Sequence, residues 1–267
     1  MDLTADATNA AGGLSRIQLS YLGCVYFAVK SQTVDVTLDF LQKHTSIEAY
    51  VDVRGVESTE DVVSILDAGA RKVFVSSSQE SSLSAYAERI VPVFSASGVG
   101  KYSNGVLLEV EDTKTAQPVL EQLSASKASP IYLSSLSNDF EALVPLAKQI
   151  GAVSIIPSTN LSIDGSSKQQ VSVSELIAEV WTSDRADKLI PTVVTDERGI
   201  ALGLVYSSQE SLKESLKTGT GVYQSRKRGL WYKGATSGDT QELVRISLDC
   251  DQDCLKFVVR QKGRGKA

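Results

Sequence analysis

The sequence predicts an α/β N-terminal domain, built as a TIM-like barrel or a doubly wound parallel sheet, followed by a small β-rich α+β domain. Three observations lead to this prediction. Short apolar runs alternate with amphipathic helical patterns as far as residue 180. The composition, 42% hydrophobic and 22% charged, is that of a globular protein. Closely spaced strand patterns follow residue 188.

The N-terminal domain is predicted from two kinds of segment. Seven apolar runs have the length and composition of buried strands, at 18–29, 48–53, 71–77, 90–96, 104–111, 129–136 and 152–158. Helical patterns separate most of them, at 34–44, 58–70, 81–90, 113–125 and 138–151. Strands that alternate with helices predict parallel βαβ units. Periodicity does not separate a barrel from an open sheet, so both arrangements remain open.

Composition also suggests how the chain is divided. Residues 1–16 lack the basic start and apolar core of a signal peptide, and we expect a disordered leader there. A Ser- and Gln-rich stretch at 158–174 precedes an expected boundary near residue 180, which gives an α/β domain of unknown role at 17–180 and a second domain at 181–267. No apolar run reaches the roughly 18 residues of a membrane span. We therefore expect a cytoplasmic protein.

The first domain offers few candidates for chemistry. Asp52 and Arg54 lie at the end of a predicted strand, where α/β proteins place their sites, but a salt bridge or a cap is the favoured interpretation. His44 is the single histidine and ends a predicted helix, where a cation is favoured by the helix dipole. We interpret it as structural.

Charge is distributed unevenly along the chain. Residues 1–187 carry 13 Lys/Arg against 23 Asp/Glu, whereas residues 188–267 carry 14 against 9. A basic terminal segment attached to an acidic body indicates an anionic ligand for that segment. The alternative is that these charges form ordinary solvated surface.

The second domain begins with a predicted hairpin and helix. Residues 189–208 predict two strands joined by a turn at Asp196–Gly199. Ser207 and Glu210 have the spacing of a capping box, which predicts the start of a helix. Gly219 is a natural residue for the end of that helix.

A basic and aromatic stretch follows, with several groups suited to a phosphorylated ligand. The cations are Arg226, Lys227, Arg228 and Lys233. The next loop could offer backbone N–H groups and hydroxyls from Gly234, Thr236, Ser237 and Gly238. Trp231 could stack on a base, although tryptophan is more often a core residue. A nucleic-acid patch is the alternative for the basic cluster.

The most specific stretch is the acidic turn, SLDCDQDC at 247–254, between the two final predicted strands. In an extended chain Asp249, Asp251 and Asp253 would share one face, with Cys250 on the other. Carboxylates suit Mg²⁺ and a thiolate suits Zn²⁺. A solvated hairpin turn without a metal remains the alternative.

The stretch LIPTVV…LGLVYSS…SLKTGTGVYQSRKRGLWYKGATSGDTQ…ISLDCDQD, over residues 188–262, resembles phosphoribosyl-AMP cyclohydrolase, a hydrolase of histidine biosynthesis. The preceding α/β body resembles the N-terminal region of fungal multifunctional histidine-biosynthesis proteins, with fewer diagnostic residues.

The resemblance implies roles for individual residues. Asp249, Asp251 and Asp253 would bind Mg²⁺, and Cys250 would bind Zn²⁺ together with cysteines of a homodimer partner. The nucleotide site would be lined by Arg226, Arg228, Trp231, Lys233, Thr236, Ser237, Gly238 and Gln241. Three positions depart from the family pattern, namely Lys227, Ala235 and Cys254, and we interpret Cys254 as an apolar buried cysteine.

The resemblance also implies a reaction. The substrate, phosphoribosyl-AMP, carries a ribosyl phosphate on adenine N1, which makes C6 electrophilic. A zinc-bound hydroxide would attack C6 and the N1–C6 bond would open.

The end of the sequence limits this expectation. The family continues into a loop with a Cys-His pair and a further cysteine, and the expected catalytic histidine lies in that loop, whereas this sequence ends in VVRQKGRGKA. We therefore expect weak zinc binding and little activity from the chain as written.

A pseudoenzyme or partner subunit that binds nucleotide phosphate is the second hypothesis. We also expect an exposed strand edge at 254–262. An RNA-binding module is disfavoured by the net charge of −5 and the 6% aromatic content.

Overall fold

The computed structural model describes residues 16–95, 105–125, 130–157, 160–163 and 170–263. They divide into two compact units. The first unit holds the described residues from 24 to 160. The second joins the described residues before 24 to those from 161 onward. Nearly all of the expected leader, residues 1–15, lies outside the described residues.

The first unit alternates strands and helices. Its elements are β1 (Cys24–Lys30), α2 (Val34–Lys43), β2 (Glu48–Gly55), α3 (Thr59–Asp67), β3 (Lys72–Val75), α4 (Ser77–Glu80), β4 (Ile90–Ser95), β5 (Val106–Val110), α5 (Thr113–Ala125), β6 (Ile131–Ser135), α6 (Phe140–Ile150) and β7 (Val153–Ile155). α1 (Arg16–Leu22) precedes them and belongs to the second unit. The predicted helix at 81–90 is instead a 3₁₀ turn at Ser81–Tyr86 that follows α4.

The seven strands form one parallel sheet in the consecutive order β1-β2-β3-β4-β5-β6-β7. This order lacks the reversal of a doubly wound sheet, so the sheet is singly wound, as in a barrel. The sheet is strongly curled: the rings of Tyr50 in β2 and Tyr132 in β6 lie 5.9 Å apart, whereas strands four apart in a flat sheet are separated by about 19 Å. In this sheet β1 and β7 remain the two edges.

Both faces of the curled sheet are packed, which explains the nearly continuous apolar runs in the sequence. One face contributes a core cluster of Phe74, Val91, Leu107, Tyr132 and Ile155. The opposite face of β2 and β3 carries fully buried valines, which are Val51, Val53, Val73 and Val75.

The second unit is rich in strands. Its elements after α1 are β8 (Leu161–Ser162), β9 (Val171–Ser172), α7 (Val173–Val180), β10 (Ile190–Thr195), β11 (Ala201–Ser207), α8 (Gln209–Thr218), β12 (Val222–Ser225), β13 (Gly229–Tyr232), β14 (Gln241–Leu248) and β15 (Leu255–Gln261). A four-stranded sheet has the order β11-β10-β15-β14, and β12 pairs with β13 in an antiparallel hairpin. No helix among the described residues is long and apolar enough to cross a membrane.

The predicted strand at 18–29 is wrong in its first half. Residues 16–22 form α1, Gly23 adopts a left-handed φ of 71°, and β1 begins at Cys24. The apolar run therefore contains a helix, a glycine break and a strand, which periodicity in a short window does not separate.

The expected division near residue 180 differs from the observed one. The chain divides between residues 160 and 161, and β8, β9 and α7 belong to the second unit. The reason is packing, since α7 contacts α8.

The start of α8 differs by one residue from the prediction. Its N-cap is Ser208, whose Oγ accepts from the backbone N–H of Ser211 at 3.1 Å, and the Ser211 Oγ accepts from the N–H of Ser208 at 2.9 Å. Ser207 is buried in β11, where its Oγ accepts from the hydroxyl of Thr192. The predicted end is confirmed, since Gly219 caps the helix with a φ of 65°.

The expectation of an exposed strand edge at 254–262 is wrong. β15 pairs with β10 on one side and with β14 on the other, so it lies inside the sheet. The parallel pairing of β10 with β15 joins segments far apart in sequence, and the local pattern carries no information about it.

Candidate functional site

The acidic turn connects β14 to β15 in the second unit. The N–H of Asp249 donates to the carbonyl of Cys254 at 3.1 Å, and the Asp249 Oδ1 accepts from the N–H groups of Asp253 and Cys254, each at 3.1 Å. Gln252 adopts a left-handed φ of 64°. The chain is therefore bent here, in agreement with the predicted turn, and the side chains do not alternate as they would in an extended segment.

The three predicted carboxylates nevertheless converge. One oxygen from each of Asp249, Asp251 and Asp253 lies within 4.8 Å of the others, and all three residues are exposed. The three aspartates that the sequence singled out therefore lie close enough to share a cation, and a tight bend rather than the alternation of a strand brings them together.

The proximity of these carboxylates affects their protonation. The negative charge of Asp251 raises the pKa of Asp253, and desolvation and the neighbouring Asp249 act in the same direction. Desolvation also acts to raise the pKa of Asp249, but the hydrogen bonds it accepts from Cys254 and Asp253 outweigh this and its pKa lies below the ordinary value. A cation at the turn would relieve the repulsion between the carboxylates.

The two cysteines of the turn have different surroundings. Cys250 is exposed, whereas Cys254 is partly buried with its Sγ 3.5 Å from the carbonyl oxygen of Leu255. Desolvation raises the pKa of the Cys254 thiol, which favours the neutral form. Among the residues described here, the three aspartates form a group of side chains that could share a metal ion. Cys250 is not part of that group.

A cleft of about 580 Å³ lies elsewhere in the same unit. Strands β11, β12 and β13 and the basic turn between the last two form its walls. Its lining residues are Leu204, Val205, Tyr206, Gln224, Ser225, Arg226, Lys227, Arg228 and Trp231.

Four of the predicted ligand-binding residues come together at or beside this cleft. Arg226, Arg228 and Trp231 line it. The Arg228 guanidinium lies 5.5 Å from the centroid of the Trp231 ring, and the Lys233 Nζ lies 5.9 Å from it. The cations and the partly exposed indole could hold the phosphate and the base of a nucleotide.

The remaining predicted residues lie outside the cleft lining. Thr236, Ser237 and Gly238 are exposed in the loop between β13 and β14, where the N–H of Gly238 donates to the carbonyl of Gly234. Gln241 is 3% exposed, and its Oε1 accepts from the hydroxyl of Tyr223 at 2.7 Å while its Nε2 donates to the Oε1 of Gln261 at 3.0 Å. The described geometry gives Gln241 an internal bridge between strands.

Sequence reasoning missed one wall of the cleft. Two guanidinium groups lie near the Tyr206 ring, those of Arg185 at 4.6 Å and Arg226 at 5.5 Å from its centroid. Arg185 also donates to the carboxylate of Asp187 at 2.6 and 2.8 Å. Residues 182–187 look like a polar linker in the sequence, and no local pattern places Arg185 against a strand residue.

The candidates of the first unit have structural partners. Arg54 donates to both Asp52, at 2.7 Å, and Glu109, at 2.6 Å, and the hydroxyl of Tyr26 donates to Asp52 at 3.2 Å. The salt-bridge interpretation of Asp52 and Arg54 is therefore confirmed. The His44 ring packs 4.7 Å from that of Phe40 at the end of α2, in agreement with a structural role.

Residues 203–266 match the phosphoribosyl-AMP cyclohydrolase family. The chain is 36% identical to the histidine biosynthesis bifunctional protein his7 of Schizosaccharomyces pombe, over 99% of this chain and 67% of that protein. It is 50% identical to the histidine biosynthesis trifunctional protein of Neurospora crassa, over 94% of this chain and 30% of the relative. A bacterial phosphoribosyl-AMP cyclohydrolase from Chloroherpeton thalassium is 49% identical over 30% of this chain and 59% of its own length.

The chain therefore belongs to the family of fungal multifunctional histidine-biosynthesis proteins that carry a phosphoribosyl-AMP cyclohydrolase region. The predicted resemblance is confirmed, and the fungal relatives match the α/β body as well as the second unit. The chain spans about 30% of the length of the Neurospora relative.

Proposed function

We propose that the second unit binds phosphoribosyl-AMP and opens the N1–C6 bond of its adenine ring by hydrolysis. The observation that carries the proposal is the pairing of a carboxylate cluster with a cationic, aromatic cleft inside one unit whose residues 203–266 match the cyclohydrolase family. The carboxylate cluster would hold a cation that neutralises charge, and the cleft would orient the substrate. A substrate with two phosphates needs both.

The cleft supplies orientation through this chain's own residues. Arg226 and Arg228 offer planar donor groups that match phosphate oxygens in pairs, and both side chains are exposed. Trp231 offers a flat apolar surface for the purine ring. Arg228 near that ring would add a favourable contact to a stacked base.

The acidic turn fits a hard divalent cation such as Mg²⁺, because its donor set is three carboxylates within 4.8 Å. Asp249, Asp251 and Asp253 would hold the ion. When bound, Mg²⁺ supplies positive charge that neutralises phosphate oxygens.

Zinc is a different case. Cys250 would be one thiolate ligand, but the residues described here do not assemble a zinc set around it. The proposed hydrolysis therefore includes no step through zinc and no catalytic residue. We propose a cytoplasmic homodimer in which a second copy contributes to the site, and light scattering of the purified chain measures its oligomeric state.

In the proposed hydrolysis the oxygen of water adds to C6 as the N1–C6 bond breaks. C6 becomes the carbon of a carboxamide, and N1 gains a proton. The ribosyl phosphate stays on that nitrogen. The enzyme must hold C6 accessible to water while both phosphates are fixed.

The test is a ring-opening assay with the purified full chain, phosphoribosyl-AMP, Mg²⁺ and Zn²⁺, followed by the mass of one added water. We expect Arg228→Met and Asp251→Asn to lower kcat/KM by roughly tenfold to a hundredfold, since each removes a charged contact. Arg198→Met, at an exposed position in the β10–β11 turn, is the matched control and should leave kcat/KM unchanged.

A second candidate function is nucleotide-phosphate binding without turnover. The cationic and aromatic groups of the cleft favour it, because they can bind a nucleotide without a metal. Substrate binding by titration, without ring opening, would support this second function and overturn the first. Absence of both binding and turnover would overturn the two together.

A further inference from the structure

The segment that follows α7 holds the backbone of the acidic turn. The N–H of Thr182 donates to the carbonyl of Gln252 at 2.7 Å. The Oγ1 of Thr182 lies 3.2 Å from the carbonyl oxygens of both Asp251 and Gln252 and donates to them. Thr182 thus contacts the two carbonyls at the tip of the turn, 69 and 70 residues away in sequence.

These contacts complement those inside the turn. The carboxylate of Asp249 accepts from the N–H groups of Asp253 and Cys254. Thr182 donates to the carbonyls of Asp251 and Gln252. The Asp249 carboxylate thus accepts from N–H groups inside the turn, and Thr182 donates from outside the turn to its carbonyls through both its backbone N–H and its hydroxyl.

The turn needs such support because Gln252 has a left-handed backbone. A φ of 64° is unfavourable for a residue with a Cβ atom and persists where neighbouring contacts hold it. The peptide that leads into this residue precedes Asp253 in the chain, so its orientation determines where the Asp253 carboxylate lies relative to those of Asp249 and Asp251.

We propose that Thr182 is a positioning residue for cation binding at the acidic turn, and that it acts by fixing the backbone at Asp251 and Gln252. The inference rests on the proposed function, because it assigns the cation to Asp249, Asp251 and Asp253. Thr182 lies outside the segment 203–266 that matches the cyclohydrolase family. The residue therefore extends the site into the linker that precedes β10.

The same linker also contacts the cleft. Arg185, three residues after Thr182, packs its guanidinium on the Tyr206 ring and is held there by Asp187. One short segment therefore touches both the acidic turn and a wall of the cleft.

The experiment measures the affinity of the full chain for Mn²⁺, used alone as a probe for the divalent site, by electron paramagnetic resonance of the free ion. Thr182→Val keeps the backbone N–H and the side-chain shape but removes the hydroxyl. We expect its affinity to fall roughly three- to tenfold, the effect of losing one hydrogen bond. Thr182→Ser restores the hydroxyl and should bind within about twofold of the unchanged chain.

Thr218→Val is the matched control. Thr218 is also exposed, and its Oγ1 also donates to a backbone carbonyl, that of Glu214 at 2.7 Å, but it lies at the end of α8. This variant should bind Mn²⁺ normally. Thermal unfolding of every variant shows whether each is folded at the temperature of the titration, and Thr182→Ala provides a second hydroxyl deletion if the valine variant does not fold.

The outcomes separate the inference from the proposed function. If Asp251→Asn leaves Mn²⁺ binding unchanged, the metal site at the turn is wrong and the role of Thr182 falls with it. If Asp251→Asn abolishes binding while the Thr182 deletions lower only the unfolding temperature, the positioning role alone is overturned. Selective loss of affinity in the deletions, with rescue by serine, supports it.

Discussion

Gln241 connects three strands of the second unit through one buried amide. It lies in β14, accepts a hydrogen bond from Tyr223 of β12 and donates one to Gln261 of β15. Tyr223 is itself 1% exposed, and burial raises the pKa of its hydroxyl far above the ordinary value, so it stays protonated and must donate. The resemblance predicted that Gln241 contacts the nucleotide, whereas its observed hydrogen bonds are to other residues of the protein.

At the scale of this residue we expect Gln241→Leu to destabilise the protein. The substitution leaves the Tyr223 hydroxyl buried without its acceptor, which costs about 1–3 kcal/mol. Urea denaturation followed by far-ultraviolet circular dichroism measures the change.

The control for this prediction is Gln209→Leu, at an exposed position of the same unit. It should alter stability by less than about 0.5 kcal/mol. A Gln241→Leu variant with unchanged stability but weaker substrate binding would contradict the internal role and restore the role implied by the resemblance.

The residues of the site could be predicted in part. The spacing of Asp249, Asp251 and Asp253 singled out the carboxylates, because alternating acidic residues in a short connection between two strands lie close along the chain. Their hydrogen-bonded bend and the support from Thr182 could not be predicted, since Thr182 meets the turn through tertiary folding. Tyr206 was missed for the same reason.

At the scale of elements, the start of helix α8 lies one residue after the predicted start, and a different serine therefore caps the helix. Ser208 and Ser211 exchange side-chain to backbone hydrogen bonds at its first turn. Ser207, the predicted cap, instead bonds with Thr192 inside the sheet. The sequence offers two adjacent serines, and only the end of β11 decides which one is free to cap.

Ser208→Ala should therefore destabilise the second unit by about 1 kcal/mol, the usual cost of a lost N-cap. Ser208→Asp keeps an acceptor at the cap and should retain nearly the original stability. The free energy of unfolding from denaturant titrations compares the two variants. Equal stability of the alanine and aspartate variants would contradict the assignment of Ser208 as the cap.

The strands of the curled sheet were predicted well because their burial on both faces gives continuous apolar runs. The run at 18–29 was misread because α1 is rich in apolar and aromatic residues in the sequence, and Gly23 alone marks the break. The parallel neighbour of β15 could not be predicted either, since strand pairing across long separations leaves no local pattern.

At the scale of the whole molecule, the second unit is discontinuous in sequence. α1 contacts β14 and α8, although the entire first unit lies between them along the chain. Tyr21 of α1 is 8% exposed, and a Cβ atom added at Gly219 would come within 2.6 Å of its hydroxyl. The helix is therefore closely packed at the end of α8.

We expect Tyr21→Ala to lower the stability of the second unit by about 3 kcal/mol, through the lost apolar burial and the cavity that remains. Hydrogen exchange followed by mass spectrometry should show faster exchange in peptides from α8 and β14, with little change in β1 to β7.

Tyr232→Ala is the comparison within the same unit, because Tyr232 is 41% exposed. Its effect on exchange should be clearly smaller. Faster exchange in β1 to β7 of the Tyr21 variant would contradict the assignment of α1 to the second unit.

The position of α1 also has a consequence for synthesis on the ribosome. The strands of the curled sheet pair with their neighbours in chain order, so that unit can assemble while translation continues. α1 precedes all the other described elements but contacts β14, at 241–248, so its Tyr21 cannot be buried there until those residues have been made. We expect α1, although it is translated before β1 to β7, to become protected from hydrogen exchange after them.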